Sequence, residues 1–154
     1  MPNITAPPDR FAADPLVLAQ DGLATVHQLH DIGCASYAVA DHCRPAGPWQ
    51  RVLPRVILLH STPPTPHQRL RAALLYAGPN TLLTGPAALA LYGIVPLEEL
   101  ERVDVLVTHF SHPRSYAYAR IHHTHRPEPR VPVQNLACVP LPRALEDARY
   151  FGAT

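Results

Sequence analysis

Apolar and polar positions along the chain sort into short segments, punctuated closely by proline and glycine. Segment 10–20 spaces Phe11, Leu16 and Leu18 as a helix would, with Pro15 in its first turn and Asp21-Gly22 after it. Thr25-x-x-Gln28 has the form of a capping box, which predicts a helix over 26–31 stopped by Gly33. Ser36 stands where it would cap a third helix running to about residue 44, with Val39 and Cys43 on its inward face. The runs 49–53 and 56–59 are β-prone and split by Pro54-Arg55, which predicts a hairpin.

"STPPTP" at 61–66 is a stiff connector and marks a boundary. Beyond it, Thr65-x-x-Gln68 with Pro66 at the first helical position predicts a helix to Ala77, stopped by Gly78, with Leu70, Leu74 and Ala77 as its apolar stripe. A short helix follows over 84–93, capped by Thr84 and ended by Gly93. Val103, Val105 and Val107 alternate within 102–109, so these three should be buried on one face of a strand, with Asp104 and Leu106 on the other. Segments 116–125 and 133–140 are further strands, and 142–151 is a last helix, followed by Gly152 and covering its neighbours through Leu145 and Ala148. Residues 1–9 read as a flexible lead, and no internal repeat is visible.

Composition narrows the class. Hydrophobic residues make up 47% of 154, enough for a core and against wholesale disorder. The 19 prolines enforce short elements. All 13 basic residues are arginine and formal net charge is +1, so nucleic-acid binding would require those arginines to cluster. The three cysteines form no C-x-x-C pair and argue against a secreted disulfide framework. The absence of an N-terminal signal pattern or long apolar run predicts a soluble, cytoplasmic protein without a membrane partner.

The stretch "GLATVHQLHDIGCASYAVADHCRPAGPWQRVLPRVILL" resembles the N-terminal winged helix of actinobacterial regulators related to the AbiEi antitoxins of type IV toxin–antitoxin systems. Gly22, Leu29, Gly33, Val39, Cys43, Trp49, Arg51, Val52, Pro54 and Val56 carry the likeness. "AALLYAG", "TGPAALALYGI" and "CVPLPRALEDA" are similar to that family's second domain. The resemblance implies a winged helix-turn-helix over residues 1–61, packed on a small α+β domain over 62–154. It implies a short or truncated member, lacking the further C-terminal region, nuclease-like in some, of longer relatives. Two departures matter. The family's arginine-rich recognition helix here reads Tyr37, Asp41 and His42, leaving Arg44 alone, and Arg55 replaces the wing glycine.

The implied function is a DNA-binding transcriptional regulator, an antitoxin-like autorepressor whose partners are duplex DNA and a cognate toxin. Its contact residues would be Ser36, Tyr37, Ala40 and Arg44 on the helix, and Gln50, Arg51 and Arg55 on the wing. The alternative is a protein-interaction adaptor that has kept the fold and lost most base readout. Trp49 reads as a packing anchor between wing and helices, and the cysteines as buried apolar residues. His109, His112, His122, His123 and His125 are dense, and His123 with His125 has the spacing to hold a metal from a strand. No cysteine or carboxylate stands beside them at ligand spacing, so they read as surface histidines and no metal or cofactor is expected. Glu98, Glu99, Glu101 and Asp104 read as a solvated loop, and Glu146 and Asp147 as surface partners of Arg143 and Arg149 or Tyr150. No nucleophile-elbow, phosphate-loop or dinucleotide pattern occurs, and no catalytic residue is expected.

Overall fold

The structure is a computed structural model that describes residues 8–151. Residues 1–7 of the expected lead, and Gly152, lie outside the described residues. The fold is α+β, and its contacts divide the chain into two compact units, Met1–Tyr76 and Ala77–Thr154.

The first unit begins with two helices, α1 (Pro8–Ala12) and α2 (Pro15–Ala19), where a single helix was expected. Pro15 explains the break. It lacks an N–H and forces the preceding residue to extended geometry, so Asp14 (φ −62°, ψ 136°) leaves the helix and caps the next one, accepting from the Leu16 N–H at 2.9 Å. Strand β1 (Leu23–Thr25) follows, too short for its alternation to show in the sequence. Helix α3 (Val26–Asp31) starts at the expected capping box: the Gln28 N–H donates to Thr25 Oγ1, and the Thr25 N–H donates to Gln28 Oε1. Gly33 takes φ 94° just past its end, as a helix stop requires.

Helix α4 (Ser36–His42) differs from expectation at both ends. Ala35 occupies the N-cap position with no side-chain cap, and Ser36 Oγ lies 3.0 Å from His30 Nε2 instead. The helix stops at His42, leaving Arg44 beyond it. His42 is buried rather than outward, because it continues the inward stripe of Ala38 and Val39. Gly47 sits in the following turn; a Cβ there would lie 2.5 Å from the His42 carbonyl oxygen.

Strands β2 (Gln50–Leu53) and β3 (Val56–Leu58) form the expected hairpin, and the three-stranded antiparallel sheet has the order β1-β3-β2. Its turn holds Arg55 at φ 62°, and the Arg55 carbonyl accepts from the Val26 N–H at 2.9 Å. Trp49 is buried, with its ring edge-to-face against Phe11 and His42, and joins Leu29, Val39 and Ile57 in the core. That is the anchoring position its sequence context suggested. Helix α5 (Pro66–Ala77) opens with the second capping box, between Thr65 and Gln68, and Gln68 Nε2 donates to the Asp21 carbonyl. All of α5 but Ala77 falls in the first unit, so the connector at 61–66 is not the boundary that the contacts draw.

The second unit holds β4 (Leu82–Leu83), α6 (Gly85–Leu91), a 3₁₀ turn, β5 (Val103–Thr108), β6 (Ala119–Thr124), β7 (Val131–Val133), β8 (Leu136–Cys138) and α7 (Leu141–Phe151). The sheet order is β6-β5-β4-β8-β7, with β5 parallel to β6 and antiparallel to β4. Segment 133–140 is not one strand: Gln134 and Asn135, both at positive φ, turn β7 back into β8. Val103, Val105 and Val107 are buried as expected, but so are Asp104 and Leu106. Strand β5 is paired on both sides, and α6 packs on both β5 and α7. Asp104 is therefore no part of a solvated loop, while Glu98, Glu99 and Glu101 are exposed. Helix α7 buries Arg143, Ala144 and Asp147, whereas Leu145, expected to be its packing residue, is 48% exposed.

Candidate nucleic-acid interface

Seven residues were singled out as contacts, and the first unit sorts them into three groups. Ser36, Tyr37 and Ala40 face outward from α4, and Tyr37 is 54% exposed. A shallow recess of about 360 Å³ at the turn before α4 is lined by His30, Gly33, Cys34, Ala35 and Ser36. Arg51 and Arg55 are exposed on the hairpin, at the middle of β2 and at the turn.

Arg44 and Gln50 form the third group, because both are already engaged within the chain. Arg44 Nη1 donates to the Asp41 carbonyl at 2.7 Å and lies 3.4 Å from Asp41 Oδ2. Gln50 Nε2 donates to the carbonyls of His60 (3.0 Å) and Thr62 (2.6 Å), fastening the chain that leaves β3. The exposed Arg44–Asp41 pair is weak, whereas the Gln50 amide closes two carbonyls at once.

Cysteines flank α4. Burial raises the pKa of Cys34, helped by Cys43 and opposed by Arg10; burial raises that of Cys43 too, opposed by Arg51. Cys138 in β8 is pushed up to about 12 by burial. All three are free thiols.

The second unit holds a polar seam that the sequence reading missed. Asp104, fully buried, holds His122 Nε2 at 2.8 Å through Oδ1, and its Oδ2 lies 3.5 Å from Arg102 Nε. The His122 ring stacks on Phe151 at 3.7 Å. Asp147 accepts from Thr84 Oγ1 at 2.6 Å and from Arg143 Nε at 3.0 Å; Arg143 also reaches Glu128 and Thr124. Burial alone would lower the Arg143 pKa, but its hydrogen bonds and charge pairing with Glu128 and Asp147 raise it. These contacts occupy the guanidinium, so Arg143 and Asp147 form a buried tie rather than the surface pair expected. A cavity of about 440 Å³ lies against the seam, lined by Leu106, His122, Glu146 and Tyr150 among others. The visible signal for this seam was a lone carboxylate, Asp104, between buried valines. Among the described residues no three histidine, cysteine or carboxylate groups are placed to hold a metal ion, and no helix is long and apolar enough to cross a membrane.

Compared with protein-family models and with curated proteins, the chain gives no match.

Proposed function

We propose that the protein is a DNA-binding transcriptional regulator, antitoxin-like in the sense of the sequence resemblance, whose first unit contacts duplex DNA and represses its own promoter. A cognate toxin is its protein partner, and the chain is not an enzyme. The arrangement of the first unit carries this reading. Strand β1, helices α3 and α4 and the β2–β3 hairpin, with sheet order β1-β3-β2, support reading this unit as a winged helix-turn-helix. In that layout α4 enters the major groove and the hairpin lies along the backbone.

Arg51 and Arg55 then hold phosphates, which fixes position without reading sequence. Ser36, Tyr37 and Ala40 face the bases. Base readout is modest, because the bidentate arginine–guanine contact is the strongest common device and Arg44 is tied to Asp41. Removing the Asp41 charge breaks its ion pair with Arg44, leaving only the bond to the residue-41 carbonyl, and relieves repulsion with phosphate. Asp41→Asn therefore tightens binding to duplex DNA from upstream of the protein's own coding region, measured by fluorescence anisotropy. Unchanged or weaker binding by this variant contradicts the assignment of α4 to the groove.

The same Asp41–Arg44 pair, beside exposed Tyr37, favours a second reading in which this surface recognises a protein. In that case no duplex binds at low salt, and Asp41→Arg abolishes association with the partner.

A further inference from the structure

Two of the second unit's five histidines, His109 and His125, form a cluster that neither the proposed duplex contact nor the core uses. The His109 N–H donates to the Thr124 carbonyl, bringing the ends of β5 and β6 together. There the His109 ring lies 4.0 Å from the His125 ring, stacked at 30°, and 3.8 Å from the Phe110 ring. Three rings thus form one ladder at the sheet's end. Its outer member, Phe110, is 77% exposed. The loop carrying it is pinned by contacts of Ser111 with Thr108 and of its carbonyl with His123 Nε2.

The segment that carries the ladder is basic in sequence. From residue 105 to 127 the chain carries no carboxylate; Arg126 follows His125 at the ladder's end of the sheet, whereas Arg120 stands opposite Asp104 toward the strands' other end. Arg126 pairs with Glu146 at 3.0 Å, but both side chains are mostly exposed, so a phosphate displaces that pair at little cost.

We infer that the Phe110–His109–His125 ladder is a stacking platform for an unpaired base of a single-stranded nucleic acid, with Arg126, next to His125, taking a neighbouring phosphate. A protein partner would be recognised by a contiguous apolar patch, whereas Phe110 is flanked in sequence by His109, Ser111 and His112. Duplex DNA does not suit the platform either, because its bases stack on one another and present only their edges. A flat unpaired base extends the ladder by one ring and brings its backbone toward Arg126, next in sequence to His125. The inference is independent of the duplex reading, since it uses none of the first unit's residues.

The test uses the full chain and labelled pyrimidine strands of about twelve nucleotides, within the range that one single-strand site spans. The parent protein is expected to bind the strand at low salt, Phe110→Ala to weaken it roughly tenfold or more, and Phe110→Trp to restore it. An abasic strand with the same number of phosphates should bind the parent no better than the normal strand binds Phe110→Ala. Arg51→Ala should leave single-strand binding unchanged, which separates this site from the duplex site. Equal binding of abasic and normal strands, or an unchanged Phe110→Ala, overturns the proposal. So does failure of the strand to bind while Phe110→Ala alters self-association in sedimentation, which assigns the ladder to a protein contact.

Discussion

Under the proposed duplex contact, Arg55 serves phosphate binding at the expense of backbone comfort. It holds φ 62° at the hairpin turn, in the left-handed region that costs a side-chain-bearing residue about 1–2 kcal/mol. Glycine avoids that cost but gives the unfolded chain more freedom. Arg55→Gly is therefore expected to leave stability unchanged or raise it by up to about 1 kcal/mol in urea denaturation, while duplex binding weakens. A clear loss of stability would mean that the arginine side chain supports the hairpin. Cys138 gives a second prediction. Its pKa is raised from 9.0 to about 12, so the unfolded chain ionises first. Stability from this thiol is complete below about pH 9 and is lost as pH rises toward 12. Cys138→Ala should lose less stability than the parent between those pH values, as read from denaturation midpoints. The position of Trp49 was legible in the sequence, because a lone tryptophan between β-prone and helical runs belongs in a core. The burial of His42 was not, since its place on the inward stripe depends on where α4 begins and ends.

At the scale of elements, the two capping boxes were legible because each places both partners within one turn. Thr25→Ala removes the α3 cap and should cost about 0.5–2 kcal/mol, measured by thermal or urea unfolding. What stayed hidden were β1 and β4, three and two residues long, which owe their existence to pairing partners distant in sequence. The split of α1 from α2 was missed, although Pro15 and its effect on the residue before it account for the break. The seam under α7 was hidden for another reason: Arg143 and Asp147 look like an ordinary i,i+4 surface pair, and only Thr84 and Glu128, brought in by the fold, make it a buried one. This gives a contrast between two ion pairs. Asp147→Ala leaves an arginine buried with part of its partners gone and should cost about 3–5 kcal/mol. Breaking the exposed Arg126–Glu146 pair with Arg126→Ala should cost under about 1 kcal/mol. Similar losses in the two variants would show that the seam is not dry.

For the whole molecule, net charge is only +1, so no broad positive field draws the chain to nucleic acid. Any affinity has to come from local placement: Arg51 and Arg55 on the hairpin of one unit, and a carboxylate-free segment in the other. The most direct measurement is the salt dependence of duplex binding by the full chain, alone and as Arg51→Ala and Arg55→Ala. If the hairpin arginines hold phosphates, the logarithm of affinity falls linearly with the logarithm of salt concentration, and each substitution reduces the slope by roughly one. A parent protein that binds no duplex at low salt, or slopes that neither substitution changes, contradicts the account.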